Sequence, residues 1–243
     1  MSAAVQAISW GGLVFAAVPT VLVIGILWRW SAGAGTAAYA SLRMLVQLLL
    51  IGYVLVYIFE AGEPTIVLVV LAVMLIAASW IAMRPLASHS VKVYRHALIA
   101  IAIPGILVLA LVSQVVIDIR PWFEPRYLVP LAGMIFSGAM NAVSLAGERA
   151  QAEAVRGTRF EEVRRIALQA ALIPITNSLF AVGLVALPGM MTGQILSGVS
   201  PLVAAKYQIV VMLMLFGVAG LSAMTFLVLQ RQHLVKNSAA APR

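Results

Sequence analysis

Cysteine is absent from this chain and charge is scarce. Without cysteine, disulfide frameworks, thiolate-bound zinc and thiol nucleophiles are excluded, while the redox compartment stays open. Only 10% of the 243 residues are charged, against 63% apolar, and mean hydropathy is +1.05. A soluble domain of this length has too little interior to hide that much apolar surface, whereas a bilayer removes it from water. No Gly-x-x-x-x-Gly-Lys-Ser/Thr string occurs, and Lys92, Lys206 and Lys236 all lack a Gly-rich phosphate cradle, so the chain does not hydrolyse ATP itself. Paired carboxylates, Ser–His–Asp arrangements and histidine clusters are missing from the apolar runs, which leaves an intramembrane enzyme unsupported and implies no cofactor. His89, His96 and His233 lack ligand spacing and read as surface residues. Met1–Trp10 carries no Lys or Arg, so it lacks the basic region of a cleavable signal peptide, and the first apolar run reads as a retained span.

What is present is a series of apolar runs. They fall near Trp10–Leu27, Ser41–Phe59, Ile66–Met83, Ala97–Ile117, Tyr127–Ala146, Ile166–Leu187 and Tyr207–Leu229, each bounded by charge, Pro or Gly. The net charge of +8 is scattered between these runs, which argues for topology signals rather than nucleic-acid binding. With the N-terminus outside, the inside loops hold Arg29, Arg43, Arg84, Lys92, Arg95, Arg149, Arg156, Arg159, Arg164, Arg165, Arg231, Lys236 and Arg243. Only Arg120, Arg126 and Lys206 fall outside. This asymmetry predicts one all-α, polytopic membrane domain of about seven transmembrane helices, N-terminus outside and C-terminus cytoplasmic, in the cell (inner) membrane.

Charge dominates in one place. Glu148–Arg165 packs five Arg and four Glu into eighteen residues. Arg149/Glu153, Glu161/Arg164 and Glu161/Arg165 are helical neighbours of opposite sign. Gly157 interrupts, and Thr158 with Glu161 has the spacing of a capping box, so the sequence predicts helix, glycine stop, bend, and a new helix from about Arg159. One reading is an amphipathic hairpin resting on lipid headgroups. The other is a docking element in which Phe160, ringed by charge, anchors a soluble partner.

Several polar residues lie inside the spans. Arg43 and Gln47 share one face at the start of span two, where Arg43 either snorkels to the interface or faces protein or water. Ser137, Asn141 and Ser144 form a stripe leading toward Glu148, open to interhelical hydrogen bonding or to lining a gated path. Span six holds Pro174 and then Thr176, Asn177 and Ser178. If it continues to about Leu196, Pro188-Gly189 breaks it within the outer half of the bilayer, where irregular backbone survives only against protein or a cavity. Pro188–Gln194, with Met190 and Met191, is therefore the candidate for substrate contact or gating. Thioethers ligate soft metals and not hard Fe(III) or Al(III), and methionine is more often packing.

The runs Asn141–Arg149, Glu153–Gly157 and above all Leu187-Pro188-Gly189-Met190-Met191-Thr192-Gly193-Gln194-Ile195-Leu196-Ser197-Gly198, followed by Tyr207-Gln208-Ile209, resemble one family. It is the iron-export and aluminium-resistance permease family of ABC transporters, FetB-like in bacteria, with plant relatives. The resemblance implies a permease subunit that works with a separate cytoplasmic ATPase, as two permeases with two ATPases. It implies coupling through Glu148, Arg149, Glu153, Gly157, Thr158, Phe160 and Glu161. A substrate path or gate would then involve Arg43, Gln47, Asn141, Asn177, Pro188, Gly189, Met190, Met191 and Gln194. The Glu153-Ala154 to Gly157 spacing departs from the Glu-Ala-Ala…Gly loop of binding-protein-dependent importers. Iron export is the substrate the family implies. A non-metal cargo such as a nucleotide sugar stays open, as does a stand-alone secondary transporter or channel, although no acid lies well inside any run.

Overall fold

The computed structural model describes residues 8–239. These fall into two compact units that divide after Ala61. The uncharged Met1–Ala7 stretch and Arg243, both used above for orientation, lie outside the described residues.

The first unit is a helical hairpin. α1 (Trp10–Arg29) starts where the Ser9 hydroxyl accepts from the Gly12 N–H at 3.1 Å. α2 (Ala34–Ala61) follows a turn in which Ser31 and Gly33 take positive φ. Almost every large apolar side chain of α1 is exposed, as expected of helices whose solvent is lipid.

The second unit carries α3 (Pro64–Ala82) and α4 (Val91–Ala110), the latter continuing as a π-helical turn over Leu111–Val116. Next come α5 (Pro125–Val155), α6 (Phe160–Ala181), α7 (Gly189–Leu196), α8 (Pro201–Leu229) and α9 (Arg231–Ala239). Proline at the first position opens α3, α5 and α8, where its missing N–H has no helical partner in any case. At 1.5 Å per residue, the 31 residues of α5 run about 46 Å, well beyond the roughly 30 Å hydrocarbon core, so its last turns stand clear of the apolar layer.

α5 is the centre of the unit. Its alanines Ala142, Ala146, Ala150 and Ala154 are all buried and meet Ala167 and Ala171 of α6 and Ala219 and Ala223 of α8. Small residues let helices approach closely where burial from water offers no drive. Ser144 donates across to the Ala82 carbonyl of α3 at 2.9 Å, fulfilling the interhelical reading of that residue. Ser144→Ala is expected to cost about 0.6 kcal/mol, the usual worth of such a bond in a bilayer, visible as a small drop in the unfolding midpoint in detergent. The loop after α3 returns to the far end of α5, where Gln151 Oε1 accepts from the Ala87 N–H at 2.9 Å. Three segments expected on one side of the membrane (this loop, the Arg/Glu insertion and the C-terminal helix) thus gather at one end of the unit.

Among the described residues six helices are long and apolar enough to cross: α1, α2, α3, α4 with its π turn, α5 and α8. The run expected to cross as Ile166–Leu187 behaves differently. α6 stops at Ala181, six residues short of Leu187, because Val182 leaves the helix and Gly183 turns with φ +83°. Removing the charged first turns leaves Ile166–Ala181, about 24 Å of apolar helix, shorter than the hydrocarbon core.

Candidate functional site

The end of α5 is built by Gly157. With φ +77° it takes the left-handed conformation that favours glycine. The Gly157 N–H bonds to the Ala154 carbonyl at 3.0 Å, and the Thr158 N–H bonds to the Glu153 carbonyl at 3.4 Å. This Schellman pair satisfies the last carbonyls of α5 and fixes the chain's direction into α6. The expected helix–glycine–helix bend is present.

Glu153 locks the same corner with its side chain. Only 5% exposed, it receives Arg149 Nη2 at 2.8 Å and Arg156 Nη1 at 3.1 Å. The Thr158 hydroxyl donates to its other oxygen at 3.4 Å. The Arg149/Glu153 pair was legible from spacing; the share taken by Arg156 and Thr158 was not.

The expected capping box does not form. The N-cap of α6 is Arg159, with no side-chain cap, so Thr158 lies one position too early and Glu161 falls at the second helical residue. Thr158 turns back to Glu153 instead. The expected Glu161/Arg164 and Glu161/Arg165 pairs are also replaced: Arg165 Nε donates to Glu162 at 3.1 Å, leaving Glu161 exposed. The hydrogen bond from Arg165 holds the Glu162 carboxyl below its ordinary range, so this pair persists as pH falls through that range and is lost only at more acid pH.

Phe160 is half-buried against the alanine-rich core, and the Arg231 guanidinium lies 5.5 Å from its ring centroid. Phe160, Glu161, Arg164, Leu168, Met224 and Val228 border a groove of 390 Å³ between α6 and α8. Glu148 is exposed on the last turns of α5.

Deeper along the same helices, a second groove of 280 Å³ opens between α5, α6 and α8. Its polar groups are Ser137, Asn141 and Ser178. Ser137 donates to the Met134 carbonyl at 3.1 Å and Ser178 to the Pro174 carbonyl at 3.0 Å. Among the described residues Asn141 makes no such bond, so its amide is the group available to a molecule in this groove. Asn177 is exposed beside Ser178 but does not line it. A larger cavity of 440 Å³, between α3, α4 and α5, is apolar apart from Ser113 and Gln114 and touches none of the expected site residues.

The Pro188–Gln194 segment is placed otherwise than expected. The break comes earlier, over Val182–Leu187, where the Gly183 N–H bonds to the Ala186 carbonyl at 3.0 Å. Pro188 is the N-cap of α7 and Gly189 its first residue, so Pro188-Gly189 begins a helix rather than interrupting one. Proline's preference for the start of a helix explains the difference. Met190 and Met191 are half-buried, and Met190 reaches a 50 Å³ pocket shared with Arg126, Tyr127 and Tyr207. The Gln194 Oε1 is buried without a hydrogen-bond partner. In the first unit Arg43 is half-buried and Gln47 exposed on α2. Among the described residues no group of three or more His, Cys, Asp or Glu gathers to hold a metal.

Comparison with known proteins reads the same features. The model of the Uncharacterised protein family (UPF0014) matches residues 10–160 and 154–235, the two stretches meeting over the Gly157 bend. This chain belongs to the UPF0014 family. It is 36% identical to the UPF0014 membrane protein slr1647 of Synechocystis over 196 residues, covering 74% of this chain and 76% of that one. It is 35% identical to the probable iron export permease protein FetB of Escherichia coli, over 74% of each chain. It is 32% identical to the protein ALUMINUM SENSITIVE 3 of Arabidopsis thaliana, over 79% of this chain and 74% of that one. No solved structure matches. UPF0014 membership and the six apolar helices together make this an all-α, multi-pass membrane protein. The UPF0014 relatives agree with the family resemblance carried by Leu187–Gly198.

Proposed function

We propose that this UPF0014 chain is the membrane-spanning subunit of an ABC exporter, driven by a separate cytoplasmic ATPase and assembled as two permeases with two ATPases. The observation that carries the reading is the Gly157 bend. It is a stiff corner, closed by backbone bonds and by Glu153, and it stands at the end of the two helices that border the Asn141 groove. A push on such a corner is transmitted along α5 and α6 into the groove, which is what converting ATP-driven closure into alternating access requires.

In this reading Glu148, Arg149, Glu153, Gly157, Thr158, Phe160 and Glu161 form the coupling element. Asn141, Asn177, Pro188, Gly189, Met190, Met191 and Gln194 contribute to the path or its gate. The N-terminus lies outside and the bend in the cytoplasm, in the inner membrane, as the arginine and lysine distribution favours. α6 and α7 together complete a seventh crossing. The E. coli relative's name supports iron as cargo.

The test is to purify the chain with and without a co-expressed ABC ATPase and to measure assembly and ATP turnover. Stable co-purification with permease-dependent turnover is expected; failure of any ATPase to associate removes the reading. Gly157→Val forces a β-branched residue into the left-handed region, a cost of roughly 1–2 kcal/mol or more. That variant should insert normally and hydrolyse ATP, but transport at least tenfold less per ATP. Unchanged transport would take the bend out of the mechanism.

A further inference from the structure

α9 follows α8 almost directly and folds back across the Gly157 bend. Three of its positions face inward at helical spacing. Arg231 lies over the Phe160 ring. Leu234, 3% exposed, is buried in the core cluster with Ala154 and Val163. Ser238 Oγ donates to the Thr158 carbonyl at 2.8 Å, inside the bend itself. The residue before α9, Gln230, is also buried. A tail without a role has no reason to close a carbonyl of the coupling corner from 80 residues away.

The charges exposed around this corner are unequal. Glu153 is taken by Arg149 and Arg156, and Glu162 by Arg165. Arg159, Arg164 and Lys236 make no ion pair among the described residues, whereas the acids left exposed are Glu148 and Glu161. The outward side of α9 bears Gln232 and Lys236, and Val235 is its one exposed large apolar residue. A helix that lies in lipid headgroups turns an apolar stripe outward; here the apolar residue that packs, Leu234, turns in.

We propose that α9 completes the ATPase-docking element: it fixes the Gly157 bend to the core and, with Arg159, presents Lys236 to an acidic face of the partner ATPase. This rests on the ABC reading given above.

The experiment uses the full chain in lipid nanodiscs and its purified ATPase, with binding measured at low and high salt. Arg159→Glu combined with Lys236→Glu leaves every buried contact intact and should weaken ATPase binding roughly tenfold at low salt, with the gap narrowing as salt rises. Equal binding by the variant and the wild type, or a loss confined to binding of anionic-lipid vesicles, overturns the proposal and leaves the ABC reading standing. If the wild-type chain binds no ATPase, both fall. A second variant tests the brace. Ser238→Ala removes only the bond to the Thr158 carbonyl and should speed amide hydrogen exchange at the bend roughly fivefold. Exchange there as slow as in the wild type would contradict the bracing role.

Discussion

Removing both arginines from Glu153, as Arg149→Ala with Arg156→Ala, is expected to destabilise the protein by about 3–5 kcal/mol, because it strands a buried carboxylate. Removing the carboxylate instead, as Glu153→Gln, should cost less, roughly 1.5–3 kcal/mol. The asymmetry follows from exposure. The Arg149 and Arg156 side chains are 41% and 67% exposed, so water takes over their charge once Glu153 is gone. Glu153 has no such recourse. Thermal unfolding of the two variants in one detergent checks the order. A less stable Glu153→Gln would mean that the carboxylate is neither buried nor dependent on its arginines.

Gly147→Leu is expected to yield little or no folded protein. A Cβ at Gly147 meets Leu86 Cδ2 at 2.6 Å and Phe226 Cε1 at 2.9 Å, two side chains that are themselves buried. Even Gly147→Ala sets an overpacking cost of about 1–3 kcal/mol against a gain in helix propensity of about 1 kcal/mol, so packing wins. Gly217, on α8, has nothing within 4 Å of its Cβ position. Gly217→Ala should therefore be neutral or slightly stabilising. Monodisperse yield and unfolding midpoint for the three variants separate close helix approach from a general intolerance of substitution. Normal yield of Gly147→Leu would disprove the tight contact between α5, α8 and the loop after α3.

These effects show which parts of the molecule were legible in its residues. The membrane class was, since apolar runs and sparse charge follow from the solvent alone. The Gly157 stop was too, because a glycine after a charged helical run has few other uses. The start of α6 lies one residue beyond the one the spacing predicts: Thr158 and Glu161 have capping-box spacing, but the box depends on which residue caps the helix, and that is Arg159. The end of α6 was hidden for a different reason. Val182–Leu187 is as apolar as the helix before it, so hydropathy carries no mark of the turn at Gly183. α9 carries no mark in the sequence because its residues are polar except for Leu234, Val235 and the terminal Ala239. Its meaning lies in contacts with Phe160 and Thr158, far away along the chain. The Asn141 groove was half visible: the Ser137–Asn141–Ser144 stripe is real, but Ser144 turns to α3 while the other two turn to the groove.

One measurement tests the proposed exporter function most directly: ATP-dependent movement of iron by this chain reconstituted in proteoliposomes with the proposed partner ABC ATPase, with Phe160→Ala alongside the wild type. The proposed function predicts iron movement that requires both subunits and ATP. It also predicts that Phe160→Ala keeps assembly and ATP turnover while losing most transport. Movement of iron by the permease alone, without ATPase or ATP, would contradict it.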